Sequence, residues 1–158
     1  MSNRLCDMDI RRTDLGEPEV VALLELHHSE MQAFSPPGTC HVLDLSGLQA
    51  PGIEVFAAWE GDRLLAIGAI KQHDQFIEIK SMRAHPDARG KGAGKAMLMH
   101  LIGRSRDLGF GEIKLETGTG KSFEAAVRLY KSFGFEPCEA FAGYEPGDFN
   151  KLYALKLD

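Results

Sequence analysis

The sequence predicts an α/β (mixed α+β) fold, with helices on both faces of a central mixed, mostly antiparallel sheet. Two observations carry this prediction. Three strand-like stretches follow one another in the middle of the chain, and Glu60-Gly61-Asp62 between two of them is a typical hairpin turn. After them, helices alternate with short strands, and the resulting order differs from that of a regular doubly wound fold.

The predicted elements follow one another along the chain. Pro18 suits the first turn of a helix, and Ser35 precedes a proline, which pushes it out of the helical region. Gly109 stops a later helix. The full set is a strand at Asp7–Arg12, a helix at Pro18–Phe34, strands at Ile53–Trp59, Arg63–Lys71 and Phe76–Ala84, a helix at Lys91–Leu108, a strand at Glu112–Thr117, a helix at Ser122–Phe133 and a strand at Leu152–Leu157.

The composition is that of an ordinary globular chain, with 158 residues, 44% of them hydrophobic and 26% charged. We expect one domain spanning residues 1–158. The longest apolar run, residues 64–70, is far too short for the ~20 residues of a membrane-spanning helix, and the first nine residues lack the apolar core of a signal peptide. Three scattered cysteines (Cys6, Cys40 and Cys138) predict reduced thiols and a cytoplasmic protein.

Charge is distributed unevenly along the chain. The net charge of −5 argues against a protein that binds nucleic acid. Residues 80–106 nevertheless hold seven basic residues and one acid, Asp87. A basic patch on an acidic protein suits a small anionic ligand better than a polymer. A solvated basic helix face is the alternative, and charge alone does not separate the two.

The most informative stretch runs from Met82 to Gly94, where a strand ends and a glycine-rich turn opens a helix. Gly90, Gly92 and Gly94 have no side chains, so the backbone can approach a ligand closely. The free N–H groups of the helix start and the helix dipole then favour an anion, and pyrophosphate is the natural occupant. Arg89, Lys91 and Lys95 add positive charge.

Two other phosphate-binding motifs fit less well. The spacing here is GxGxG and follows a late strand, whereas a dinucleotide fold has GxGxxG after its first strand. Residues 115–122 (LETGTGKS) nearly spell a P-loop, but Leu115 stands where the first glycine belongs. A P-loop nucleotidase therefore remains a minor alternative.

Two motifs together resemble those of the GNAT acetyltransferases. The run RGKGAG matches the family's RxxGxG cofactor motif through Arg89, Gly92 and Gly94. One strand later, Ala126-x-x-Leu129-Tyr130-x-x-x-Gly134-Phe135 is similar to the family's AxxLYxxxGF helix. The predicted strand order is also that of the family, so the resemblance covers nearly the whole chain.

The resemblance implies an enzyme that transfers an acetyl group from acetyl-CoA to a primary amine in a ternary complex, without a metal. The backbone of Met82, Arg83 and Ala84 would pair with the pantetheine arm. The pyrophosphate would be wrapped by the turn that follows, through Arg89, Gly90, Lys91, Gly92, Ala93, Gly94 and Lys95. A non-catalytic module that binds acyl-CoA is the rival from another class. The resemblance is compatible with a homodimer, and no nucleic-acid or membrane partner is expected.

Tyr130 and Phe123 are the two positions of the second motif that bear on chemistry. The resemblance places Tyr130 near the thioester sulfur, as the acid that protonates the departing thiolate. A core tyrosine with a wetted hydroxyl is the ordinary alternative. The family often has Asn seven residues before this tyrosine, and here that residue is Phe123. A polar cofactor contact is therefore missing, or comes from Ser122 or the Gly118–Gly120 turn.

A base is needed because removing the proton of an alkylammonium of pKa ~10.4 at neutral pH costs about 4.6 kcal/mol of free energy. Glu78 interrupts an apolar strand, on the side opposite Ile77 and Ile79. It precedes Arg89 by eleven residues, which resembles the position of the base in histone-acetylating members. The alternative is a surface glutamate paired with Lys80 or Lys71. Glu116, at the end of the next strand, is the reserve candidate.

The remaining polar residues give weaker indications. His27-His28 with Glu30 invites a metal site, but adjacent histidines point to different sides of a helix. His41 lies in the Ser35–Gly52 loop, where the family builds its acceptor pocket, and a surface histidine is its plainer interpretation. The Ser35–Gly52 and Ala140–Asn150 segments are expected to shape the acceptor pocket. Their residues do not identify the acceptor.

Overall fold

The computed structural model describes residues 8–34, 45–88, 90, 92–144, 147 and 150–157. The strands are β1 (Asp9–Arg12), β2 (Ile53–Glu60), β3 (Arg63–Gln72), β4 (Ile77–Ala84), β5 (Glu112–Gly118), β6 (Glu136–Pro137) and β7 (Asn150–Lys156). The α-helices are α1 (Pro18–Phe34), α2 (Leu45–Leu48), α3 (Ala93–Asp107) and α4 (Glu124–Ser132), with 3-10 turns at Pro86–Ala88 and Lys121–Phe123.

The seven strands form one sheet in the order β1-β2-β3-β4-β5-β7-β6. Every pairing is antiparallel except that of β4 with β5. The predicted mixed, mostly antiparallel sheet is therefore confirmed. Its parallel pair lies at the centre, where the glycine-rich turn leaves β4.

Helices cover both faces of the sheet, as predicted. On one face α3 buries Met97, Leu98 and Leu101 against the strands, and this core also includes Tyr130 of α4. On the other face α1 and α2 pack over β2 and β3. A smaller aromatic cluster of Phe141, Tyr144 and Leu152, with Phe76 against it, lies apart from these two cores.

Helix α3 packs unusually close to the sheet. A Cβ atom added at Gly68 of β3 would lie 2.7 Å from Cγ of Met97, so a side chain there would force the helix away. This close approach holds α3 against β3. No helix in the described ranges is long and apolar enough to cross a bilayer.

The predicted bounds need some correction. Helix Pro18–Phe34 is confirmed at both ends, whereas α3 begins two residues after the predicted Lys91 and α4 begins at Glu124, after the 3-10 turn. The last strand begins at Asn150 rather than Leu152. Helix α2 and strand β6 were not predicted, because four and two residues are too few to show a periodicity.

Candidate active site

The sheet opens between β4 and β5. Their ladder pairs only Ile77 to Ile79 of β4 with Ile113 to Leu115 of β5, although both strands continue beyond it. On its other edge β4 stays paired with β3 as far as Ala84. The opening therefore exposes a backbone edge of β4 inside the sheet, at the predicted pantetheine residues Met82, Arg83 and Ala84.

The glycine-rich turn stands at the end of this opening. Gly90 and Gly92 have φ values of 84° and 78°, in the left-handed region that favours glycine. A Cβ at Gly90 would meet no atom within 4 Å. Gly92 caps α3 without a side-chain hydrogen bond, and the first turn holds no acid. The first three N–H groups of a helix have no partner within the helix, so those of Ala93–Lys95 are suited to an anion, and no acid of the first turn competes for them.

Gly94 plays a different part from the other two glycines. It is helical, and an added Cβ would be in ordinary contact with Leu129 of α4, at 3.8 Å. Lys95 is exposed beside it. Arg89 and Lys91 lie outside the described residues.

Three residues of the basic segment are paired with acids that lie outside it. Lys80 contacts Glu78, Arg83 contacts Glu30 at 2.6 Å, and Arg104 contacts Glu54 at 2.8 Å. Glu30 and Glu54 are distant in sequence, so a count along the segment overstates its local charge. The side chain of Arg83 is held by α1, which leaves its backbone for the opening.

Tyr130 is a core residue. Its ring packs edge-to-face on Phe135, with 5.7 Å between centroids, and the side chain is 7% exposed. Burial raises the pKa of the Tyr130 phenol to about 12. The group therefore keeps its proton at neutral pH, as an acid must.

Phe123 explains the glycine at position 118, in the second glycine-rich turn. Its ring is buried, and a Cβ added at Gly118 would lie only 2.4 Å from two of its ring carbons. Gly118 thus makes room for a side chain of the same connection. Phe123 supplies no polar contact in place of the Asn common in the family.

Glu78 is buried at the centre of a polar cluster. Its side chain is 2% exposed, so the surface alternative is wrong, although the expected contact with Lys80 is present. Three groups reach the carboxylate: Nε2 of His73 at 2.8 Å, Nζ of Lys80 at 3.2 Å and the hydroxyl of Tyr144 at 2.5 Å. We call His73, Glu78, Lys80 and Tyr144 the Glu78 cluster.

A bulge in β4 aims this cluster. Ala69 pairs with Ser81 and Ile70 with Ile79, so Lys80 is an extra residue in the ladder. Bulges re-aim neighbouring side chains. Here the bulge keeps Ile79 and Met82 on the face of the larger core while Glu78 faces the aromatic cluster.

Tyr144 reaches Glu78 from a tight turn before β7. The N–H of Tyr144 bonds the carbonyl of Phe141 at 2.9 Å, and both intervening residues, Ala142 and Gly143, have positive φ. The positive φ of Ala142 is energetically unfavourable for a residue other than glycine, and such residues rarely adopt it. Neither Tyr144 nor His73 was predicted as a site residue. For Tyr144 the one signal was its segment, since Ala140–Asn150 was expected to shape the acceptor pocket; no signal pointed to His73.

The other candidates are placed as follows. Asn150 donates to Glu116 at 3.2 Å, on the face of β5 that also carries Lys114.

His27 is buried, and its Nδ1 has no partner among the described residues. Burial, followed by the charge of Arg83, lowers the pKa of His27 to about 4. The carboxylate of Glu30 accepts a hydrogen bond from Arg83, so it is already used in an ion pair. No set of three potential ligands gathers anywhere in the described ranges. His41 lies outside those ranges.

Comparison with known proteins identifies the class of protein to which this fold and this opening belong. The model of the acetyltransferase (GNAT) family matches residues 20–135. An uncharacterized N-acetyltransferase of Bacillus subtilis (strain 168), YsnE, is 44% identical over 94% of this chain and 99% of its own length.

Solved structures agree with the family match. A Klebsiella pneumoniae protein assigned provisionally as an acyl-CoA N-acyltransferase superposes with a TM-score of 0.81 at 25% identity, covering 99% of this chain and all of its own. A GNAT family acetyltransferase from Elizabethkingia anophelis with acetyl-CoA bound shares the fold, with a TM-score of 0.66 at 15% identity over 96% of this chain and 99% of its own. The chain belongs to the GNAT family and is an N-acetyltransferase.

Proposed function

We propose that this enzyme transfers the acetyl group of acetyl-CoA directly to a primary amine, with both substrates bound at once and no covalent acyl-enzyme. The observation that carries the proposal is the pairing of β4 with β5, which stops at Ile79 beside a glycine-rich helix start. The proposal treats residues 1–158 as one domain, in the cytoplasm. The family match removes the P-loop and binding-module alternatives.

The opening suits acetyl-CoA in shape and in chemistry. The exposed edge of Met82–Ala84 offers backbone donors and acceptors to an amide-bearing arm, in the manner of an added strand. The turn at Gly90 and Gly92 then meets the pyrophosphate with backbone N–H groups and the positive end of α3. Lys95, and in the proposal Arg89 and Lys91, add charge at the same place.

Glu78 is the proposed proton acceptor. It carries the one buried carboxylate on β4, on the face where the acceptor would lie opposite α3. A buried, oriented carboxylate can take the ammonium proton that blocks attack on the thioester. Glu116 remains the reserve, held by Asn150 at the neighbouring strand.

The Glu78 cluster also supports a primary amine as the acceptor. The ammonium of Lys80 already sits against Oε2 of Glu78 and the oxygen of Tyr144, with its nitrogen 5.2 Å from the centre of the Tyr144 ring. Carboxylate, phenol oxygen and aromatic face together are complementary to an alkylammonium. A second alkylammonium would find the same chemistry there.

Turnover tests the proposal. Purified protein, acetyl-CoA and a broad panel of primary amines should release CoA thiol with at least one amine. Tight CoA binding without thiol release on any amine would contradict the proposed reaction.

Glu78→Gln tests the base. The amide keeps the shape but takes no proton, so turnover should fall by about 10²–10⁴-fold near neutral pH. Activity should partly return at high pH, where more of the amine is already uncharged. The measurement is a pH–rate profile beside the wild type, with Glu116→Gln as the matched variant. An unchanged profile for Glu78→Gln would pass the role to Glu116 or to water.

A further inference from the structure

The hydroxyl of Tyr144 lies 2.5 Å from the Lys80 ammonium and 2.5 Å from Oε2 of the buried Glu78 carboxylate. We propose that its hydroxyl takes the proton of the acceptor amine while passing its own proton to Glu78. This inference rests on the proposed function, in which Glu78 is the final proton acceptor. It adds a residue from the turn before β7 to the chemistry.

Glu78 is enclosed by its partners. Its carboxylate is 2% exposed and receives contacts from three side chains, which cover both of its oxygens. These partners are therefore the routes by which a proton can reach the carboxylate. A protonated Lys80 has donors and no acceptor, so it cannot take up a proton before it has given one away.

Two partners remain, His73 and Tyr144, and the position of Lys80 separates them. His73 contacts Oε1 and its ring stacks on Phe76, with centroids 4.4 Å apart. Tyr144 contacts Oε2, the same oxygen as the Lys80 ammonium. Nζ of Lys80 also donates to the Tyr144 oxygen at 2.5 Å. An alkylammonium at this position is closer to the phenol oxygen of Tyr144 than to Oε2, which is 3.2 Å from Nζ, so the shorter path to Glu78 runs through Tyr144. The proposal places the nitrogen of the acceptor at this position, in place of the Lys80 ammonium.

The hydroxyl is already oriented for the transfer. Its oxygen accepts from an ammonium while its proton is directed at Oε2 of Glu78. The acceptor's N–H bond breaks and a new O–H bond forms on the phenol. The original phenol proton moves to Glu78, and the freed lone pair of nitrogen attacks the thioester carbonyl. The products of the proton step are a neutral amine, an intact tyrosine and a protonated glutamic acid.

The surroundings keep the tyrosine from ionising instead. Burial, followed by the hydrogen bond to Glu78 and the charges of Glu78 and Glu116, raises the pKa of the Tyr144 hydroxyl far above its usual range. Among the described residues, the charged groups around it are Glu78 and Lys80 of β4 and Glu116 and Lys114 of β5, with His73 behind Glu78. A phenol that stays neutral can accept one proton and donate another in the same step, without becoming a phenolate.

The test compares two acceptors in Tyr144→Phe, which keeps the ring and removes one oxygen. The first acceptor is the fastest primary alkylamine of the panel, and the second is its β-trifluorinated analogue, which is mostly uncharged near neutral pH. We expect kcat/KM to fall by about 10²-fold with the alkylamine. The loss with the fluorinated amine should be several-fold smaller than the loss with the alkylamine. Affinity for CoA should not change. Tyr153→Phe, a buried tyrosine of β7 outside the Glu78 cluster, is the matched control and should react as the wild type does.

Three outcomes would overturn the relay. Equal losses with both amines would make the hydroxyl a purely structural support of Glu78. If Tyr144→Phe had wild-type kcat/KM while Glu78→Gln were impaired, Glu78 would still be the base but Tyr144 would not be the relay. His73 would then be the candidate relay, which His73→Gln would test. An unimpaired Glu78→Gln would remove the proposed base, and the relay with it. If Tyr144→Phe folds poorly, Tyr144→His serves, because imidazole both donates and accepts: the relay requires it to outperform a folded Tyr144→Ala with the alkylamine.

Discussion

Two connections in this enzyme look alike in sequence and differ in use. One links β4 to α3 through Gly90, Gly92 and Gly94, and the other links β5 to α4 through Gly118 and Gly120. Both are strand–turn–helix units rich in glycine, and either could be drawn as a phosphate loop. A Cβ added at Gly90 of the first, or at Gly120 of the second, would meet open space, but one added at Gly118 would meet the Phe123 ring. Gly118 therefore makes room for the chain itself, whereas the space at Gly90 is where we propose that the ligand binds.

Gly92→Val is expected to have the largest effect, because a branched side chain would fill the proposed pyrophosphate site. CoA affinity should fall by more than about 10³-fold, close to 4 kcal/mol. The positive φ of 78° adds strain of about 1–2 kcal/mol to the folded state. Calorimetric titration with CoA measures the first effect and denaturant unfolding the second.

Gly109→Val is the control for that variant. Gly109 follows the other end of α3 and has a φ of 86°, and a Cβ added there would meet open space. It should lose similar stability while binding CoA as the wild type does. Equal CoA losses in both variants would mean that strain in α3, and not a filled ligand site, explains Gly92→Val.

Tyr130→Phe separates the chemistry of the second unit from its packing. The ring stays in the core, so packing should hardly change, whereas loss of the acid should lower kcat by about 10²-fold at unchanged CoA affinity. The pKa of about 12 predicts no decline from this group as pH rises from 7 to 10 in the wild type. Steady-state kcat and a CoA titration of the same variant decide the matter. Wild-type kcat would reduce Tyr130 to a core residue.

Gly118→Ala should act on stability and leave cofactor binding to the folded protein intact. The added carbon collides with the Phe123 ring, and overpacking of this kind costs about 1–3 kcal/mol. The double variant Gly118→Ala/Phe123→Leu should recover part of the loss, which denaturant unfolding would measure. A variant as stable as the wild type that no longer binds CoA would show that both connections serve the ligand.

Gly94→Ala should have the smallest effect. Its Cβ would be in ordinary contact with Leu129, and alanine favours a helix over glycine by up to about 1 kcal/mol. We expect a slightly more stable protein whose CoA affinity changes far less than that of Gly92→Val. A loss of affinity as large as that of Gly92→Val would restore Gly94 to the ligand-facing role that its motif predicted.

Local patterns predicted the fold well and the site in part. Helix α1 was predicted to the residue because Pro18 starts it and Ser35-Pro36 follows it. Glu78 stood out as an acid in an apolar strand. Its partner Tyr144 lies 66 residues away, and that contact depends on a bulge at Lys80 and a turn with positive φ at Ala142. Neither feature leaves a periodic trace in sequence, and the acids that neutralise Arg83 and Arg104 are equally remote.

The opening between β4 and β5 has a consequence for the protein's lifetime. Strands β1–β4 and β5–β7 are joined within the sheet through three residue pairs. If acetyl-CoA fills the opening as proposed, it completes the sheet and becomes a structural member of the fold. At a free concentration 100 times its Kd it would add about 2.7 kcal/mol to the free energy of unfolding. The amount of enzyme that escapes proteolysis would then rise and fall with the concentration of acetyl-CoA. A cell with little acetyl-CoA would therefore also contain less of this enzyme.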